Sequence, residues 1–235
     1  FEDGQKVTSG THFPIASLSK SFTALAILQL ADNGQIDLDA AYDSYFPKHS
    51  VRDPRVHNIT IRHLLNQTSG LNDKVNPDMT SYHNPNYVLL ANLVENVSGE
   101  RFSDYLNNHI FKPLGMNHTF SVSTTQQFYG NEAIPIGHYL SLGRAVGQKE
   151  PIWFIEGPAG IVSTAEDMSR WMLAQYQGQL LSPTLMKQYH AAGTIGSYGM
   201  GWLADQEESH GRIISHSGIF WTYKSEEKIY LDEEM

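Results

Sequence analysis

Residues 16–34 read ASLSKSFTALAILQLADNG. Apolar residues at Phe22, Leu25, Ala26, Leu28 and Ala31 recur at helical spacing, and Ile27 and Leu30 widen the stripe until most sides are apolar. Such a helix belongs in a core, and Asn33-Gly34 closes it as a left-handed cap. The spacing predicts a helix over 18–32 with a lone lysine, Lys20, in its first turn. Ser17 precedes it by three residues, so the two share a face. A serine hydroxyl is a weak nucleophile until a base removes its proton. A lysine stripped of water can be that base, because burial disfavours its charged form. The amide of Ser17 also stands at a helix N-terminus, where free N–H groups favour developing negative charge. Taken alone, the pair reads equally well as a helix cap followed by a lysine lying along apolar surface.

A second Ser-x-x-Lys occurs at Ser225-Glu-Glu-Lys228. It encloses two acidic residues and no apolar helix follows it, so its lysine is expected to be a solvated cation and its serine inert. Two further triplets carry usable chemistry. Tyr82-His-Asn84 precedes a helical stretch, which puts Tyr82 and Asn84 on a loop, pointing the same way. A tyrosine serves as a general base when a cation such as Lys20 lowers its pKa, and the Asn84 amide can both donate and accept toward a peptide-like substrate. His216-Ser217-Gly218 follows the strand-like run 212–215, and a glycine there lets a ligand approach the strand edge. Individually, Tyr82 also reads as a loop aromatic and His216 as a satisfied strand histidine.

The 235 residues, 40% hydrophobic and 17% charged, suffice for one large domain with a real core. A net charge of -9 without any Lys/Arg run argues against nucleic-acid binding. The absence of cysteine excludes thiol catalysis, zinc-thiolate sites and disulfides. No apolar run reaches the roughly 18 to 20 residues of a membrane span, and nothing at Phe1 resembles a signal peptide. The 11 histidines show neither His-x-His nor His-Glu-x-x-His spacing, so no metal is expected. Further helices are expected over about 61–66, 86–97 and 102–110, and after the cap at 163–167 as far as Gly178. Strands are expected over 198–204, 212–215 and 228–231. Helices first and strands last indicate an α+β arrangement with an antiparallel sheet.

Together SLSK, YHN and HSG resemble the three motifs of the penicillin-recognising serine hydrolases, which include class C β-lactamases, low-molecular-mass penicillin-binding proteins, D-aminopeptidases and esterases. The blocks THFPIASLSKSFTALAILQLADNGQIDLD, ITIRHLLNQTSGL, NYVLLANLVENVSG, EGPAGIVSTAEDMSRWM and YGMGW resemble the family framework. The resemblance implies a β-lactamase/transpeptidase-like domain over 1–235, an antiparallel sheet flanked by helices, with a mostly helical subdomain over about 35–160. Against the family it is shortened at both ends, which would leave sheet edges open to pairing with another chain.

By the same resemblance Ser17 is the acylated nucleophile, and Lys20 with Tyr82 shuttles its proton. Asn84, His216, Ser217 and Gly218 bind substrate, and the backbone N–H groups of Ser17 and Ile219 form the oxyanion hole. Gln67 stands where relatives often have histidine. The implied substrates are D-Ala-D-Ala peptides, β-lactams or esters, with no cofactor and an extracytoplasmic location. A D-alanyl-D-alanine peptidase or β-lactamase-like activity is expected, the alternative being a penicillin-binding sensor with little or no turnover.

Overall fold

A computed structural model describes residues 6–47, 57–71, 82–122, 138–139, 144–145, 156–220 and 223–233. Strand β1 (Phe13–Pro14) leads through a 3-10 turn, Ala16–Leu18, into helix α1 (Ser19–Asp32). Helices α2 (Ile61–Leu65), α3 (Asn84–Ser98) and α4 (Phe102–Leu106) follow, and α4 runs on into a π turn over Asn107–Phe111. Short strands β2 (Phe120–Ser121), β3 (His138–Tyr139), β4 (Arg144–Ala145) and β5 (Ile161–Ser163) precede helices α5 (Ala165–Gln177) and α6 (Pro183–Tyr189). Strands β6 (Leu203–Glu207), β7 (Gly211–Phe220) and β8 (Tyr223–Tyr230) come last. The sheets are antiparallel, in the orders β1-β5-β2, β3-β4 and β6-β7-β8. The fold is thus α+β, with antiparallel sheets flanked by helices.

Helix α1 is apolar all round because it is surrounded. Phe22, Ala24, Leu25, Ala26, Ile27 and Leu28 are completely buried, and the helix packs against α3, α4 and α6. The Phe22 ring stacks on Trp171 of α5 at 3.7 Å. Burial on every face removes the need for a polar side. It also leaves no water for a charge in the first turn, whereas Asp32 at the far end is exposed.

Several expected boundaries move, and one helix arises that was not expected. Pro85, suited to a first helical turn, lets α3 begin at Asn84, so Asn84 opens the helix and does not lie on the preceding loop. Residues 198–202 form turns rather than strand: Gly201 is left-handed at φ +88°, and β6 starts only at Leu203. Strand β7 runs past Ser215 through the His216-Ser217-Gly218 triplet to Phe220, because β8 pairs it along that length. Helix α6, which no motif announced, follows Ser182 with Pro183 in its first turn.

Candidate active site

Ser17 lies in the 3-10 turn and Lys20 in the first turn of α1, with the Lys20 Nζ 3.2 Å from the Ser17 Oγ. Lys20 has no solvent exposure. Its Nζ also donates to the Pro158 carbonyl at 3.0 Å and sits 4.6 Å from the centre of the Tyr82 ring. Among the described residues no carboxylate pairs with it, and desolvation lowers the amine to about 7. A free amine is therefore accessible near neutral pH, 3.2 Å from the Ser17 Oγ. The 157–161 segment is fixed along α1 by three side chains. Thr23 donates to the Gly157 carbonyl at 2.6 Å, Lys20 donates to Pro158, and the Ser19 Oγ accepts from the Ile161 N–H at 3.1 Å. Gly157 makes the approach possible, since a Cβ there would collide with the Tyr87 carbonyl.

Tyr82 reaches the serine from the other side. A hydrogen bond with Ser17 lowers its phenol, but burial outweighs that and pushes it up to about 12. The expectation that Lys20 would depress Tyr82 is not met: burial dominates, and the opposing contribution comes from the Ser17 hydrogen bond. Tyr82 is thus a neutral hydroxyl near neutral pH, able to donate a hydrogen bond. Asn84 is exposed at the start of α3. The entry to this helix is held by Gln67, whose Oε1 accepts from the His83 N–H at 3.0 Å and from Asn86 Nδ2 at 2.7 Å. Ser69 donates to Asn86 Oδ1 at 2.7 Å. The residue at the family's histidine position therefore positions the backbone beside Tyr82.

His216 is buried on β7, its ring 6.1 Å from that of Tyr82. Both nitrogens are engaged internally. Nδ1 donates to the Ser217 carbonyl at 2.7 Å, and Nε2, 3.2 Å from the Tyr198 hydroxyl, accepts from it. Burial, reinforced by Lys20, lowers the imidazole to about 4 despite the Ser217 bond, so His216 is neutral. Tyr198 belongs to the YGMGW block, and its place beside the triplet was not legible as chemistry. Strand β6 pairs with β7 only as far as Ser215, so on that side no described strand covers the edge from His216 to Phe220. Ile219 is 69% exposed there. Gly218 lets β7 cross the Ser17 turn, because a Cβ would meet the Ile15 carbonyl and Ala16.

The second Ser-x-x-Lys falls on β8, where residues three apart point to opposite faces. Lys228 is exposed and pairs with Glu207 at 2.9 Å, while Ser225 faces inward. Directly across from His216 lies Glu227, 3% exposed, and neither carboxyl oxygen has a partner among the described residues. Burial pushes its pKa up from 4.5 to about 8. The folded state then holds a proton that the unfolded state has lost between those values, so stability falls as pH rises through that window. Replacing the orphan carboxyl by an apolar chain of similar length removes the loss. Glu227→Met is expected to raise the melting temperature by about 5 °C or more at pH 8, and by much less at pH 5. Thermal melts at the two values check it.

Comparison with known proteins shows the family and the fold. The Beta-lactamase family model matches residues 1–227, and the chain belongs to that family. It is 29% identical over 258 residues to protein flp of Staphylococcus aureus (strain MW2), covering 94% of this chain and 50% of that protein. It is 28% identical over 274 residues to penicillin-binding protein 4* of Bacillus subtilis (strain 168), covering 94% and 58%. The chain thus spans about half the length of these curated relatives. The crystal structure of a D-stereospecific amidohydrolase from Streptomyces sp. shares the fold at a TM-score of 0.74 and 20% identity, covering 94% of this chain and 79% of that one. No described helix is long and apolar enough to cross a membrane.

Proposed function

We propose that this chain is a serine acyl hydrolase that cleaves ester or amide bonds through an acyl-enzyme on Ser17. The observation that carries the proposal is the 3.2 Å approach of the Ser17 Oγ to the amine of a fully buried lysine. Neutral Lys20 takes the serine proton as the Oγ attacks the substrate carbonyl. The oxyanion would face the backbone N–H groups of Ser17 and Ile219. Tyr82, hydrogen-bonded to Ser17, relays the proton to the departing amine or alcohol. Water, deprotonated by Lys20, then releases the acid and frees the serine. Asn84 holds the acyl side. The name of the Bacillus subtilis relative, a penicillin-binding protein, supports penicillin-binding chemistry as the wider context.

Within this class, the environment of His216 favours one kind of substrate. D-Ala-D-Ala peptides and β-lactams present a carboxylate near the scissile bond. His216 meets it neutral, with both nitrogens occupied, and the cation that acts on His216 is Lys20, which is committed to the serine. An ester or amide without that carboxylate suits the site better. Incubation with a neutral p-nitrophenyl ester followed by intact mass spectrometry tests the proposal: an acyl adduct on Ser17 with continued nitrophenol release supports it. A folded protein that forms no adduct contradicts it, and one stoichiometric burst without turnover marks a binding module instead. His216→Lys, which supplies a fixed cation, is expected to raise the kcat/KM ratio of carboxylate-bearing to neutral substrates by about ten- to hundred-fold, the worth of one charged hydrogen bond. Paired kinetics on the two substrate types check this.

A further inference from the structure

The inward-facing serine of the second Ser-x-x-Lys has a use of its own. Ser225 Oγ donates to the Ile15 carbonyl at 2.6 Å. The same carbonyl accepts the Leu18 N–H at 3.2 Å, the bond that closes the turn containing Ser17. One lone pair thus shapes the turn and the other ties it to β8. The turn needs holding, because Ala16, the residue before the nucleophile, has φ +50°, a left-handed conformation that a residue with a Cβ adopts only when its surroundings impose it. Ser225 pairs with Gly218 across the sheet, and Gly218 is where β7 lies against Ile15 and Ala16 with no room for a side chain. Ser225 therefore pins the turn at the point where the strand crosses it.

Ser17 lies in the turn that this bond ties to β8, and Ile219 lies on β7, which β8 pairs through Gly218–Ser225 and Ile219–Lys224, so the bond links the two backbone segments that would supply the oxyanion donors by way of β8. We propose that Ser225 is a positioning residue for acyl transfer, its hydrogen bond to Ile15 fixing the distance between the Ser17 and Ile219 amides. This rests on the reading of Ser17 as nucleophile. Removing the hydroxyl leaves every reacting group in place and loosens only their spacing, which matters most when the carbonyl oxygen has become an oxyanion.

The test compares wild type, Ser225→Ala, Ser225→Thr and Ser17→Ala on a neutral p-nitrophenyl ester, together with inhibition by phenylboronic acid, which forms a tetrahedral adduct on an active serine. In Ser225→Ala, kcat is expected to fall about ten- to hundred-fold, in line with a misplaced donor. The boronic-acid inhibition constant should rise in parallel, while KM stays within about two-fold and the midpoint of the kcat/KM pH profile stays near 7. Ser225→Thr, which keeps the hydroxyl, should recover most of the rate. A Ser225→Ala protein with wild-type kcat and boronic-acid affinity overturns the proposal. So does a loss that appears in KM alone, or a loss that the threonine variant does not recover while its melting temperature is unchanged. An active Ser17→Ala overturns the underlying assignment of the nucleophile, an outcome distinct from a failure of Ser225 alone.

Discussion

Ser17→Ala is expected to lower kcat on a neutral ester by at least about 10^4-fold while leaving the melting temperature close to that of the parent. Removing a nucleophile that acts together with its base costs about as much as removing the whole machinery, and what remains is binding and the oxyanion donors. The side chain is half-buried, and among the described residues its hydroxyl bonds only to Lys20 and Tyr82. Neither bond supports the fold at a distance, so structure survives and activity does not. Steady-state kinetics with an active-site titration, which excludes traces of parent enzyme, checks the result.

Lys20→Arg is expected to cost about 10^2- to 10^4-fold in kcat/KM, the usual contribution of a general base. Arginine keeps the charge and the capacity to donate to Pro158, so a lysine that acted only as a cation would tolerate the change. A base does not, because guanidinium holds its proton at any working pH. In the parent, kcat/KM should climb as the amine deprotonates, with a midpoint near 7. The arginine variant should lose that step. Between about 7 and the ordinary lysine value of 10.5 the unfolded chain binds a proton that the folded chain does not, so the destabilising burial of Lys20 is relieved as pH rises. The Lys20 contribution to stability thus improves over the same range in which its amine becomes free, while that of Glu227 falls up to about 8.

The apolar helix and the Ser17–Lys20 pair were legible in the sequence because they are local: one period of 3.6 and one spacing of three residues. The same spacing in Ser225–Lys228 carries no dyad, since β8 turns alternate residues to opposite faces. Its strand state is set by pairing with β7, which no short window of residues reveals. Contacts that cross the chain were equally hidden. Pro158 holds Lys20 from 138 positions away, and Tyr198 meets His216 only because the turn before β6 folds back on the sheet. The structure puts His216 on β7 just beyond the stretch paired with β6, and motif resemblance said nothing of its two internal partners. Its neutrality emerges only from those contacts and from burial. Tyr82 teaches the same lesson in reverse, because reasoning from formal charges omits the burial that dominates its phenol.

Nitrogen-15 NMR titration of the protein labelled at lysine Nζ measures the central quantity directly. One resonance is expected to titrate with a midpoint near 7 and to be missing from Lys20→Arg. Should every lysine titrate near 10.4, the amine beside Ser17 is a fixed cation and cannot take the serine proton.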